Sequence, residues 1–232
     1  MDLPNCRKAC IFLFCYLLMT ARHWTLESWS MVPPTQAKTL TRHSLHFSGT
    51  ALGLLDTTYL LSYAVGCYLS GALGDRYSRV AVASVGVVLA CAALGLAVSA
   101  GFWGFASLPL FVGLFVGNGL GQATVWPGTV AIMGNWFAKE HRGRVFGWWS
   151  TNTSVGNIIG AQFAGILISL HATWELIMLI AISGLLLSLV LFTALVSEKP
   201  PTPSLSAETM LVQPSPADSS AVSFLEAWKI PG

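Results

Sequence analysis

Residues 51–74 form an almost uncharged stretch, and this stretch restricts the fold more than any other part of the sequence. Its one charged residue is Asp56, and the other residues are apolar, small or weakly polar. An α-helix needs about 20 such residues to cross the hydrocarbon core of a bilayer. The stretch ends in the segment GDRYSR at 74–79, and a second apolar run begins at Val80. The pattern predicts two membrane-spanning helices that are joined by a short charged turn.

The composition of the whole chain agrees with a membrane protein. Hydrophobic residues make up 54% of the sequence and charged residues only 9%, whereas soluble domains carry about 25% charged residues. A net charge of +2, without a basic run interleaved with aromatic residues, argues against nucleic acid as a partner. The five cysteines form no C-x-x-C pair, so the sequence predicts no metal site, no disulfide framework and no cofactor.

Six apolar segments follow each other along the chain, which predicts an all-α membrane protein with a six-helix bundle over residues 1–196. The segment 9–21 is also compatible with the core of a signal peptide, which has about 7–15 apolar residues. We expect Trp126-Pro127 to kink the fourth span, because proline lacks a backbone donor. Residues 134–144 are expected to form a short basic loop. The predicted spans are 9–32, 50–73, 80–100, 105–133, 145–170 and 176–196.

The Lys and Arg residues outside the spans are distributed unequally between the two sides of the predicted membrane. With the N-terminus inside, two of them, Lys38 and Arg42, lie on the outer side. Because positive residues accumulate in cytoplasmic loops, both termini are expected in the cytoplasm. The nine on the inner side are Arg7, Lys8, Arg76, Arg79, Lys139, Arg142, Arg144, Lys199 and Lys229.

Arg22 lies halfway along the first predicted span. An arginine at the centre of a span costs about 2.5–3.5 kcal/mol on insertion scales, so it normally faces a bundle interior or a water-filled cavity. Its guanidinium group can bind phosphate or carboxylate through two parallel hydrogen bonds. The alternatives are a pairing with Glu27, or exposure after a signal peptide. His23 could titrate near neutral pH and take part in transport, although a lone histidine is more often only hydrogen-bonded.

Two pairs of polar residues lie one helical turn apart within predicted spans. They are Asn118 with Gln122, and Thr153 with Asn157. Side chains four residues apart share a face of a helix. Each pair is a candidate for hydrogen bonding to a substrate, and the alternative is that it only connects neighbouring helices.

The charged turn is a candidate for a conformational role, with Gly71, Asp75, Arg76 and Arg79 as its residues. Asp75 is expected to stabilise a helix N-terminus through the helix dipole, and the two arginines to contact the ends of neighbouring helices. We expect this loop to bias the equilibrium between inward- and outward-facing states without touching substrate. The sequence contains no H-E-x-x-H motif and no complete G-x-S-G or G-x-G-D protease motif, so no catalytic residue and no enzyme activity are predicted.

Several motifs resemble those of a known transporter family. The pattern G-x-L-x-D-R-x-x-R at 71–79 is similar to the loop between the second and third helices of major facilitator transporters. The motifs LDT, YAVG and GDR within 55–76, NGLxQxxxWP at 118–127, MGNWF at 133–137 and SVGNIxG at 154–160 are similar to those of the sugar-phosphate exchangers, solute carrier family 37. These proteins are organophosphate:phosphate antiporters of the major facilitator superfamily.

The resemblance implies exchange of a phosphorylated sugar or glycerol phosphate for inorganic phosphate, by alternating access, in an endoplasmic-reticulum-type membrane. By position, Arg22 matches the first-span arginine that binds phosphate. His23 stands where lysine is typical, and Cys67 and Thr153 replace a lysine and a histidine of bacterial relatives, which makes the cavity less basic. The positions that match cavity-lining residues are Tyr63, Gln122, Trp126 and Trp149.

The resemblance also implies half of a transporter. Such carriers have twelve spans in two six-helix halves, with the substrate bound between them, and only six spans are predicted here. Residues 197–221 are rich in Ser, Pro and Thr, which predicts a disordered cytoplasmic linker, and 222–232 resemble the lead into a seventh span. We therefore expect an N-terminal half that needs a C-terminal half or a second copy. The alternatives are a truncated, non-transporting membrane interaction protein and a six-span carrier that acts as a homodimer.

Overall fold

The apolar segments fold as α-helices in the computed structural model, which describes residues 3–36 and 47–199. No strand occurs among these residues, so the predicted all-α class is confirmed. The predicted outer cations Lys38 and Arg42, and the predicted linker and lead-in from 200 to 232, lie outside the described residues. The described helices are α1 (Leu3–Gln36), α2 (Gly49–Arg76), α3 (Arg79–Phe102), α4 (Leu108–Gln122), α5 (Val125–Trp136), α6 (Lys139–Trp149), α7 (Thr151–Ser169) and α8 (Trp174–Leu195).

The six predicted spans correspond to α1, α2, α3, α4 with α5, α6 with α7, and α8. Helix α1 is continuous and packs against α7 and α8. The crossing of the membrane by these six elements stays a prediction. Among residues 3–36 and 47–199, four helical stretches are long and apolar enough to cross a membrane, namely Cys6–Val32, Arg79–Phe102, Leu108–Trp136 and Trp174–Leu195.

A break in the fourth predicted span separates α4 from α5, as the proline predicts. Pro127 has no amide hydrogen, so it leaves the carbonyl of Ala123, four residues earlier, without its helical partner. The hydroxyl of Ser70 on α2 donates to that carbonyl at 3.3 Å, and the thiol of Cys67 donates to it at 3.7 Å. Side chains of a neighbouring helix therefore satisfy the carbonyl that the proline frees.

The prediction of a basic loop at 134–144 is wrong for most of this range. Only two residues connect α5 to α6, and the basic residues lie in the first turns of α6. Lys, Glu and Arg are good helix formers. Arg142 also donates to the backbone carbonyl of Phe137 at 3.0 Å and to that of Gly134. The arginine satisfies carbonyls at the C-terminal end of α5, which favours a helix over a loop at this boundary.

The charged turn between α2 and α3 is also shorter than predicted. Helix α2 extends to Arg76 and α3 begins at Arg79, so Gly71 and Asp75 are helical. Asp75 lies at the C-terminal end of α2, and the prediction that it stabilises a helix N-terminus is wrong. It forms an ion pair of 3.7 Å with Arg79. The charge of the arginine offsets the unfavourable position of a carboxylate at the negative end of a helix.

A different carboxylate occupies the N-terminus of α3. Glu198, three residues beyond α8, accepts a hydrogen bond from the N–H of Val80 at 3.1 Å and another from the hydroxyl of Ser78. Partial burial acts to raise the pKa of Glu198, but these two bonds and the charge of Arg79 together hold the pKa below its ordinary value. The ionised form of Glu198 is therefore the one that stabilises this helix end.

The residues that follow α8 also contact the end of α5. Asn135 Nδ2 donates to the carbonyl of Glu198 at 3.1 Å, and Trp136 Nε1 donates to the carbonyl of Ser197 at 2.7 Å. The segment after α8 thus joins the two short connections, α2–α3 and α5–α6, in one hydrogen-bonded arrangement.

Glycines allow the closest helix contacts, as small residues do in membrane bundles. Gly86 on α3 faces Gly121 on α4, and a Cβ at either position would lie 2.4–2.5 Å from the backbone oxygen of the other. On α7, a Cβ at Gly156 or Gly160 would lie 2.6–2.7 Å from a side-chain carbon of α1. Close α1–α7 and α3–α4 contacts bring the polar residues of several helices toward one another.

Candidate substrate-binding site

Arg22 lies inside the helix bundle, near the middle of α1. Its side chain is only 4% exposed in the described part of the chain. Nη2 donates to the hydroxyl of Tyr59 at 3.3 Å, and Nη1 lies 3.2 Å from Nε2 of His23. The guanidinium carbon lies 4.7 Å from the ring centroid of Tyr63. Because the two tyrosines are one turn apart on α2, this helix presents both a hydroxyl and an aromatic face to the cation.

Hydrogen bonds extend from Arg22 in both directions across the bundle. The hydroxyl of Tyr59 donates to Oε1 of Gln122 at 3.2 Å, and Nε2 of Gln122 donates to Oδ1 of Asn118 at 2.8 Å. On the other side, Nε2 of His23 lies 3.2 Å from Oγ1 of Thr153. The series connects α7, α1, α2 and α4. We call it the Arg22 network, and its members are Thr153, His23, Arg22, Tyr59, Gln122 and Asn118.

The guanidinium group of Arg22 has no acidic partner within residues 3–36 and 47–199. The one ion pair found there joins Arg79 to Asp75, so the alternative pairing of Arg22 with Glu27 is not formed. Nε of Arg22 is buried and has no hydrogen-bond partner among the described residues. A buried cation with free donors and only neutral neighbours can bind an anionic group through charge-assisted hydrogen bonds.

Four other predicted site residues are not members of the network. Trp126 on α5 is 49% exposed. Trp149 is buried, and its ring packs edge-on against Phe146 with a centroid distance of 6.0 Å, so it does not line an open cavity. Asn157 is half-buried one turn after Thr153, but Thr153 makes the contact to α1. Tyr63 lies beside the network through its ring.

Tyr59 is a member of the network that the sequence reasoning missed. It is 4% exposed and connects Arg22 to Gln122. A signal was present in the sequence, because Asp56, Tyr59 and Tyr63 follow one another at spacings of three and four residues. This spacing places them on one face of α2.

Asn152 was also missed, because Asn152 and Thr153 are adjacent polar residues and the sequence does not show which of them is buried. Its side chain is 1% exposed, whereas that of Thr153 is exposed on the described surface. Nδ2 of Asn152 donates to the carbonyl of Trp149, and Thr153 Oγ1 donates to its Oδ1 at 3.4 Å. Asn152 therefore orients Thr153 from the inside of α7.

Comparison with solved structures identifies the fold. A bacterial homologue of the human lysosomal transporter Spinster, in an inward-facing and unoccupied conformation, matches with a TM-score of 0.70 at 20% sequence identity. The match covers 99% of this chain and 49% of that one. At this identity the likeness concerns the fold alone. It confirms that the chain has the fold of about half a transporter.

Curated relatives have higher sequence identity. Sugar phosphate exchanger 3 of Bos taurus is 46% identical over 114 residues, which are 49% of this chain and 23% of that protein. The protein of the same name from Mus musculus is 42% identical over 142 residues, 60% of this chain and 27% of the relative. Glucose-6-phosphate exchanger SLC37A2 of Mus musculus is 40% identical over 120 residues, 52% of this chain and 24% of the relative. The chain matches about a quarter of the length of these relatives, and its resemblance to the sugar-phosphate exchangers is confirmed.

A family model covers nearly all of the chain. The model described as Major Facilitator Superfamily matches residues 10–231. This range includes α2 to α8 completely and α1 apart from its first two turns. With the helical bundle and the half-transporter fold, this match shows that the chain belongs to the major facilitator superfamily.

Proposed function

We propose that this chain forms the N-terminal half of a carrier that exchanges a sugar phosphate, or a related organophosphate, for inorganic phosphate by alternating access. The observation that carries the proposal is Arg22, a permanent cation that is 4% exposed and has no acidic partner among the described residues. A guanidinium group matches the geometry of a phosphoryl group and binds it through two parallel hydrogen bonds. The names of the relatives supply the substrate class.

The members of the Arg22 network have distinct roles in this proposal. Arg22 binds the phosphoryl oxygens, and His23 and Thr153 add hydrogen-bonding groups from α1 and α7. The amides of Asn118 and Gln122 orient the substrate from α4. Because four helices contribute, a relative movement of these helices changes the geometry of the site, as alternating access requires. Tyr63, Trp126 and Asn157 are proposed to line the remaining cavity.

The proposed site is completed by a second six-helix half. The fold match covers 49% of the solved transporter, and carriers of this superfamily bind substrate between their two halves. We propose that a C-terminal half, or a second copy of this chain, packs against the bundle. The chain is a multi-pass membrane protein. We propose that both termini lie in the cytoplasm, because nine Lys and Arg residues fall in segments that the predicted topology places on that side. The resemblance to the sugar-phosphate exchangers supports an endoplasmic-reticulum or other endomembrane location.

Binding and exchange of radiolabelled phosphate test the proposed function. The purified chain is assayed in detergent for phosphate binding, and in phosphate-loaded liposomes for uptake of labelled phosphate. Arg22→Lys keeps the charge but removes the paired donors, so we expect phosphate to bind about 10- to 150-fold more weakly, equivalent to one charge-assisted hydrogen bond of about 1.5–3 kcal/mol.

The matched control is Arg144→Lys, which changes an exposed arginine on α6. We expect it to leave phosphate binding unchanged. Equal affinity of the wild type and Arg22→Lys, or no phosphate binding by the wild type, would contradict the proposal. Phosphate binding without uptake would place the rest of the transport pathway in a second half that this chain does not supply.

A further inference from the structure

Asp56 is an acidic residue within the second predicted span, and the proposed exchange assigns it no role. It lies seven residues from the start of α2, or about 10 Å along the helix axis at 1.5 Å per residue. An ionisable side chain inside a span is costly and indicates a functional site. Nε1 of Trp29 on α1 donates to Oδ1 of Asp56 at 3.4 Å. None of the cations described in the structure forms an ion pair with Asp56.

A small cavity lies between Asp56 and the Arg22 network. Asp56 and Trp29 line it together with Tyr59, Asn118 and Gln122, which are members of the network. The cavity measures about 10 Å³, close to the ~10–15 Å³ that one water molecule needs. One water in this cavity can connect the carboxylate of Asp56 with the hydroxyl of Tyr59. That hydroxyl accepts from Arg22 at 3.3 Å.

The chemistry around Asp56 fits a proton better than a metal ion. The amide oxygens of Gln122 and Asn118 already accept hydrogen bonds within the network. No group of three or more His, Cys, Asp or Glu side chains in residues 3–36 and 47–199 could hold a metal ion. Asp56 is exposed on its other side, so a proton can reach it. The ligand that this site can take is a proton.

Few charged or titratable groups surround Asp56 on the helices that lie against α2. Helices α4 and α5 carry none. Those inside the predicted spans are Cys10, Cys15, Tyr16, Arg22, His23 and Glu27 of α1, Tyr59, Tyr63, Cys67 and Tyr68 of α2 itself, and Cys91 of α3. Arg22 is the permanent cation among them.

We infer that Asp56 binds a proton together with the substrate anion, so that acid on the side to which Asp56 opens promotes phosphate binding. The inference rests on the proposed function. Arg22 supplies one positive charge, and an ionised Asp56 on the adjoining cavity reduces the positive potential at the site before a phosphate group arrives. Charges interact strongly in a medium of low dielectric constant, so the ionised carboxylate opposes the phosphate and the neutral carboxyl group does not. By linkage, proton and anion then increase each other's binding by the same factor.

The test measures the affinity of the purified chain for inorganic phosphate between about pH 5 and pH 8. In the wild type the affinity rises as the pH falls, by up to about tenfold per pH unit, which is the limit for one coupled proton. Asp56→Asn loses this rise, and Asp56→Glu retains it. The ionisation of phosphate itself is the same in every sample, so it cancels when variants are compared at each pH.

Two matched controls change other carboxylates on the spanning helices. Glu27→Gln alters a half-buried residue of α1, and Glu175→Gln alters a residue of α8 that is 4% exposed. Both variants keep the rise in phosphate affinity in acid. Infrared difference spectroscopy of the wild type needs no variant, and addition of phosphate increases the absorption of a protonated carboxyl group.

The outcomes separate this inference from the proposed function. If the wild type does not bind phosphate, both are overturned. If the wild type binds phosphate but Asp56→Asn keeps the same pH dependence, only the inference is overturned. The inference alone is also overturned if His23→Gln abolishes the pH dependence while Asp56→Asn does not. It is likewise overturned if phosphate produces no increase in carboxyl absorption.

Discussion

Gly156 sets how closely α7 approaches α1, and its replacement by alanine tests this contact. A Cβ at this position would lie 2.6 Å from Cβ of His23 and 2.6 Å from the carbonyl oxygen of Thr20. Non-bonded carbon atoms prefer separations of about 3.5–4.0 Å, so α7 must move away from α1 by about 1 Å. Overpacking of this kind costs about 1–3 kcal/mol. The higher helix propensity of alanine offsets about 0.5–1 kcal/mol of this cost.

Gly165→Ala is the matched control, because it lies on the same helix and a Cβ there meets nothing within 4 Å. The propensity gain is common to both variants. The difference between their free energies of unfolding therefore isolates the packing cost, about 1–3 kcal/mol or about 5- to 150-fold in the unfolding equilibrium. Reversible unfolding in mixed detergent micelles, followed by circular dichroism, measures it. Equal stability of the two variants would refute the close α1–α7 contact.

The same displacement should affect the candidate site. Thr153 lies one turn before Gly156 on α7, and its hydroxyl lies 3.2 Å from Nε2 of His23. A movement of about 1 Å would lengthen this contact beyond the range of hydrogen-bond lengths. Gly156→Ala should therefore also weaken phosphate binding, whereas Gly165→Ala should leave it unchanged.

Three further changes test other contacts. Ser70→Ala removes the hydroxyl donor of the Ala123 carbonyl. It should lower the free energy of unfolding in micelles by about 0.6 kcal/mol, the average for hydrogen bonds between membrane helices, and by no more than about 1.7 kcal/mol. An unchanged value would contradict the role of Ser70. Tyr59→Phe removes the hydroxyl that holds Arg22, and should weaken binding of labelled phosphate by about tenfold without a change in helix content by circular dichroism. Glu198→Gln should lower the melting temperature at neutral pH but not in acid. The folded-state pKa of Glu198 lies below its ordinary value, so its contribution is present above that ordinary value and disappears as the pH falls through the folded-state pKa. A difference in melting temperature that persists in acid would count against this assignment.

The sequence predicted the helices better than their ends. Long apolar runs specify helices wherever a bilayer leaves the backbone no other partner, and Pro127 specified the break between α4 and α5. The connections are harder, because a charged residue at the membrane surface is equally compatible with a loop and with a helix end. Arg142 and Asp75 illustrate the difficulty. Each lies in a helix whose boundary depends on contacts with other segments. A hydropathy profile carries no information about such contacts.

The charged residue of the candidate site was predictable from the sequence, and the side chains that surround it were less so. The cost of a cation inside a bilayer is enough to place Arg22 in the interior. Which side chains of α2 contact Arg22 depends on the rotation of α2 about its axis, and this rotation is set by helix packing and not by apolar composition. For the same reason Thr153 was identified while the buried Asn152 beside it was missed.

The neutral surroundings of Arg22 give the proposed exchange a physical basis. A hydroxyl, an imidazole and an aromatic ring compensate only part of the cost of taking a guanidinium group out of water, and Nε remains without a partner among the described residues. A phosphate group supplies the missing negative charge, so the loaded bundle is electrostatically better balanced than the empty one. Had Glu27 paired with Arg22, the substrate would need to displace a carboxylate and this difference would be lost. A carrier that must move loaded and resist moving empty needs such a difference, and in the proposed exchange Arg22 provides it.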